Sequence, residues 1–154
     1  MVYNNYSELL IKKFIYIVLA LVVLISIYYL SSMNNKETNS LSKGIVYKSI
    51  ELVEHITHKE YDKKSIVNKL NYPIRKCAHF TLFLLLGVCI YLLLNSFNIC
   101  NRFIISIILC ILFACLDETH QIFTSGRTPL LLDILIDSMG SIVGIVIISK
   151  TIMK

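Results

Sequence analysis

The stretch FIISIILCILFACLDETHQ, residues 103–121, decides how this chain is read. It opens with an uncharged apolar run, residues 103–116, and closes on Asp117, Glu118, His120 and Gln121. The run is too short to cross a bilayer alone. Fourteen residues of helix reach about 21 Å at 1.5 Å per residue, against a hydrocarbon core of about 30 Å. The helix therefore has to continue through Gln121 or Phe123, which draws Asp117 and Glu118 into the outer part of the membrane.

Other apolar runs lie on either side. Residues 14–30 are uncharged and follow Lys12 and Lys13; the Tyr28-Tyr29-Leu30-Ser31-Ser32 stretch is a poor cleavage site, so this reads as a retained first helix. Residues 77–94 follow Arg75 and Lys76, and residues 130–149 form the fourth run. The expectation is an all-α integral membrane protein, one domain over residues 1–154. Its four-transmembrane-helix bundle has spans at about 14–30, 77–94, 103–122 and 130–149. Composition agrees: 154 residues, 56% hydrophobic and 16% charged, with a mean hydropathy of +0.70. The net charge of +5 sits beside apolar runs, as at a headgroup surface, and does not point to nucleic acid. Five cysteines lie in or beside apolar segments without a CxxC, so buried free thiols are expected.

The connector, residues 31–76, alternates apolar and charged residues. Ile45, Val46, Ile50, Val53 and Ile56 recur at roughly helical spacing, which fits an amphipathic helix lying on the membrane or capping the bundle. A solvated helix that merely links two spans fits as well. Lys12, Lys13, Arg102, Lys150 and Lys154 favour cytoplasmic termini in a cell membrane. The lysine-rich connector then lies outside, against the positive-inside rule, which weakens for long loops.

With four antiparallel spans, the polar residues gather at one face. The second span brings Arg75, Lys76 and His79; the third brings Asp117, Glu118, His120 and Gln121; the next loop brings Arg127; the fourth span brings Asp133 and Asp137. Asp133, Asp137, Gly140 and Gly144 form one helical stripe whose lower half is a GxxxG pattern, so the stripe faces another helix. A carboxylate at mid-bilayer costs about 2.5–3.5 kcal/mol on insertion scales, so such residues face protein or a wet cavity. The first helix carries none of these groups and stands outside the expected pocket.

Taken in order, Arg75-Lys76-x-x-His79-Phe80, Asp117-Glu118-x-x-Gln121, Gly126-Arg127 and Asp133-x-x-x-Asp137-x-x-Gly140-x-x-x-Gly144 resemble the VanZ-like family. Ser31-Ser32 and Ser40-Leu41-Ser42 are similar to that family's segment after its first helix. Asp137 stands where asparagine is frequent, and Met33 where glutamine often follows the serine pair. The family takes its name from a protein giving low-level resistance to the glycopeptide teicoplanin. The resemblance thus implies a setting in the cell envelope, without an agreed reaction.

Three readings of the polar cluster follow. In the first, Arg75, Lys76, Gln121, Arg127, Asp133 and Asp137 bind an anionic or lipid-linked headgroup, the arginines gripping phosphate oxygens. In the second, the chain is an enzyme acting on a phosphorylated lipid carrier. There His79, Asp117 and Glu118 would be catalytic, and Asp117, Glu118 and Asp133 would offer oxygen ligands to Mg²⁺ or Ca²⁺. In the third, the charges pair and only hold the helices together. Neither HExxH nor a Cys/His set at ligand spacing occurs, which argues against zinc hydrolysis.

Overall fold

The structure is a computed structural model; it describes residues 2–124 and 130–152, with side chains from Ser7 onward. Five helices follow in order: α1 (Val2–Ser32), α2 (Asn35–Thr57), α3 (Lys63–Ser96), α4 (Arg102–Ile122) and α5 (Leu131–Ile152). No strand occurs among the described residues. Four of the helices, all but α2, are long and apolar enough to cross a membrane.

The outward-facing residues explain why the bundle needs lipid. Phe14, Ile25, Leu112, Leu116 and Leu131 are all more than half exposed. Such a surface is stable in a solvent as apolar as itself. The interior is narrow: Phe83, Leu86, Cys110 and Ile145 have no exposure, with Ile27, Ile90, Tyr91 and Ala114 around them. All five cysteines are free thiols; Cys89 and Cys110 are buried, while Cys77 and Cys100 are exposed.

The tightest seam joins α3 to α5, and glycine makes it. A Cβ built on Gly140 would lie 2.4 Å from the Phe80 carbonyl oxygen, and one on Gly144 2.2 Å from that of Leu84. On the facing helix, a Cβ on Gly87 would lie 2.4 Å from the Ser141 carbonyl oxygen. Backbones approach this closely only where no side chain intervenes.

The connector resolves into α2 and the front of α3. α2 starts at Asn34, whose side chain accepts from the Glu37 amide at 2.9 Å while Glu37 reaches back to the Asn34 amide at 3.1 Å. α3 has 34 residues. At 1.5 Å each that is about 51 Å, far more than a 30 Å core. Its first turns therefore project beyond the bundle and pair with α2 as a helical hairpin. Val46 and Ile50 bury there against Val67, with Ile66 and Ile74 alongside. The apolar residues of α2 divide: Ile45, Val53 and Ile56 remain exposed. The buried stripe is instead Thr38, Ser42, Val46 and Ile50. At the far end Lys63 Nζ lies 2.7 Å from Glu54 Oε2.

Candidate functional site

α4 positions the polar end of the bundle. Its buried face runs Ser106, Cys110, Ala114, Asp117, Gln121, with Glu118 buried beside it. One face thus changes from apolar packing to carboxylate and amide over its last turns. Asp117 and Gln121, one turn apart, meet directly: Gln121 Nε2 donates to Asp117 Oδ2 at 2.8 Å. The same amide lies 3.3 Å from Ser31 Oγ.

The carboxylates have different partners. Asp133 on α5 pairs with Lys76 Nζ on α3. Glu118 accepts from the Leu130 amide at 2.6 Å, tying the end of α4 to the start of α5. Asp117 Oδ2 faces His79 Nδ1 at 4.0 Å. Asp137 is 3% exposed and lies deeper on α5. Of the oxygen set Asp117, Glu118 and Asp133, two members are thus committed to an ion pair and a backbone amide.

Arg75 has partners that sequence reasoning did not select. Its Nη1 donates to Asn35 Oδ1 at 3.0 Å and to Asn39 Oδ1 at 3.1 Å, both on α2. Asn71 Nδ2 also donates to Asn39 Oδ1, at 2.9 Å, and Ser42 Oγ donates to Asn71 Oδ1. This is a network of neutral amides, so Arg75 keeps its full charge. All its hydrogen bonds among the described residues use Nη1. Nothing in the charge pattern of residues 31–76 marked these asparagines. Their spacing, Asn35 and Asn39 one turn apart, was the only available signal.

α1 also belongs to the site, contrary to the expectation that the first helix stands outside it. Ser31 is fully buried and meets Gln121. Ser32 Oγ lies 3.0 Å from His120 Nε2, and the Tyr28 ring sits 4.8 Å from the His120 ring. His120 therefore fastens α4 to α1. Arg127 lies outside the described residues.

Arg75, Lys76, His79, Gln121, Asp133 and Asp137 line one small cavity of about 20 Å³. One water needs roughly 10–15 Å³ by this measure. The chamber has room for a single water or ion, and a larger group can meet it only at its mouth.

Long apolar helices enclosing carboxylates, amides and an imidazole at one end define a class: multi-pass membrane proteins with a polar site set into the bundle. The sequence profile of the VanZ/LLP1 family matches residues 14–153, and the chain belongs to that family. No curated protein and no solved structure matches the chain.

Proposed function

We propose that this chain binds an anionic, lipid-linked headgroup of the cell envelope at the end of the bundle where Arg75 and Lys76 stand, at the outer face of the membrane. The observation that carries the reading is the setting of Arg75. Neutral asparagines hold the guanidinium by one nitrogen, so its charge is not cancelled and Nη2 and Nε remain for oxygens of a ligand. In a cluster built only for packing, Arg75 would pair with a carboxylate, as Lys76 does with Asp133. The cavity is too small for a headgroup, which supports docking at the mouth while the acyl chains stay in lipid.

A link to glycopeptide susceptibility is part of this proposal: a protein that occupies or shields such a headgroup alters what a glycopeptide can reach. α2 serves in this reading as an amphipathic connector that presents Asn35 and Asn39 to Arg75. The test is lipid co-purification. Arg75→Ala retains at least tenfold less anionic lipid than the parent chain at unchanged helix content, the equivalent of about 1.4 kcal/mol. Equal lipid retention by the two chains excludes the reading.

A second reading, an enzyme acting on a phosphorylated lipid carrier, is supported by the 4.0 Å approach of His79 to Asp117 beside the same cavity. Asp117→Asn then abolishes turnover of envelope lipid while the protein stays inserted. Turnover unaffected by that change removes the enzyme reading and leaves binding.

A further inference from the structure

Three helices each send one side chain to a common point beneath the Lys76–Asp133 ion pair: His79 from α3, Asp117 from α4 and Asp137 from α5. One donor atom of each lies within 4.8 Å of the other two. Asp137 is 97% buried, since only 3% of it is exposed. Its carboxylate makes no hydrogen bond or ion pair among the described residues; only its backbone carbonyl is engaged, by Ser141 Oγ at 3.1 Å. A buried carboxylate without a partner is costly, and a second one beside it adds repulsion. Lys76 is already paired with Asp133, and Arg75 is held by the asparagines. Among the described residues, no Lys or Arg stands between Asp117 and Asp137 to offset their charge.

We propose that His79, Asp117 and Asp137 bind a divalent first-row transition metal ion of the Zn²⁺ or Mn²⁺ kind. The donor set selects the class. Mg²⁺ and Ca²⁺ favour all-oxygen sites, whereas one imidazole nitrogen with two carboxylates suits a borderline ion. The spacing is compatible: bonds of about 2.0–2.2 Å place opposite ligands at most about 4.4 Å apart. A few tenths of an ångström of carboxylate rotation closes the difference. Gln121, 2.8 Å from Asp117 Oδ2, orients that ligand from behind, as outer-sphere partners do. The adjoining cavity of about 20 Å³ supplies the further coordination position, with room for one water. Because its ligands come from three helices, such a site leaves no spacing motif in the sequence. It stands independently of the headgroup reading, which rests on Arg75.

The experiment uses the full chain, purified in mild detergent and stripped with chelator. It is then titrated separately with Zn²⁺ and Mn²⁺, bound metal being read by mass spectrometry. The expected result is saturable uptake of one ion per chain, with millimolar Mg²⁺ failing to compete. Asp137→Asn and His79→Ala weaken uptake by more than tenfold, and Gln121→Ala by about tenfold. No saturable uptake by the parent chain overturns the proposal and leaves a proton in place of the metal. Unchanged uptake in Asp137→Asn at intact helix content overturns it as well. Where a variant fails to insert, the Mn²⁺-loaded parent chain decides by electron–nuclear double resonance. Coupling to one histidine nitrogen supports the site, and its absence refutes it.

Discussion

Glycine and its neighbours give the sharpest consequences at the level of single residues. Gly144 has no space for a methyl group, since its Cβ would lie 2.2 Å from a backbone carbonyl oxygen of α3. Backbone cannot yield as a flexible side chain does, so α3 and α5 would have to separate. Gly144→Ala is expected to lower bundle stability by about 1–3 kcal/mol, the range for an overpacked interior, read by denaturation in mixed detergent. Gly44, inside α2, offers a control because nothing lies within 4 Å of its added Cβ. Gly44→Ala is expected to stabilise by roughly 0.5–1 kcal/mol through helix propensity alone. A neutral Gly144→Ala beside a stabilising Gly44→Ala would show that α3 and α5 do not meet backbone to backbone there.

At the level of elements, α2 and the front of α3 form a unit with its own core and its own latch. The latch is Glu54 with Lys63, outside the bundle. The hydrogen bond from Lys63, then the Tyr61 amide, hold the Glu54 carboxyl below its ordinary value of 4.5. The folded-state value is therefore the lower one. The contribution to stability is present above 4.5 and disappears as pH falls through the folded-state value. Amide protection around residues 54–63, each rate being divided by its intrinsic value at the same pH, should fall on acidification, with Glu54→Gln lowering protection at neutral pH and abolishing that acid dependence. Acid-independent protection in the parent chain would show that Glu54 and Lys63 do not hold the hairpin closed.

The same elements show what the sequence could tell. The carboxylates at residues 117–118 demanded a helix longer than its apolar run, and α4 extends to Ile122. The Asp/Gly stripe of residues 133–144 demanded a facing helix, though nothing in it specified the Phe80–Leu84 backbone as the contact. Charge pattern offered Arg75 to phosphate oxygens or, in the packing reading, to carboxylates, whereas Asn35 and Asn39 hold it; neutral residues in a connector carry no long-range electrostatic signal. The grouping of His79, Asp117 and Asp137 is a property of three packed helices and had no counterpart in spacing. Ser31 carried no sequence signal for the site, since its contact with Gln121 joins positions 90 residues apart.

For the molecule as a whole, orientation remains the quantity that sets which compartment meets the site. In the orientation proposed above, with the polar end of the bundle outside and both termini cytoplasmic, the turn between α3 and α4 faces inward and the α2–α3 hairpin faces outward. A chain whose only cysteine is Cys100 should resist an impermeant maleimide in intact cells and react after permeabilisation. A single cysteine introduced by Lys48→Cys, in an otherwise cysteine-free chain, should react at once. The reverse pattern places hairpin and site in the cytoplasm and removes the outer-face headgroup from the proposal.

α3 belongs to both regions at once. It runs unbroken from Lys63 in the hairpin through Arg75 and His79 to the seam with α5. Pro73, which lacks an amide hydrogen, is the one position where its backbone ladder gives up a bond near the site. Mechanically this is a beam clamped at the glycine seam and free at its outer end, with its softest section two residues before Arg75. A load on the free end is felt as tilt at that section. By reciprocity, whatever the pocket binds with a preference for one tilt also sets the stance of the hairpin, and a molecule resting on the hairpin retunes the pocket by the same free energy.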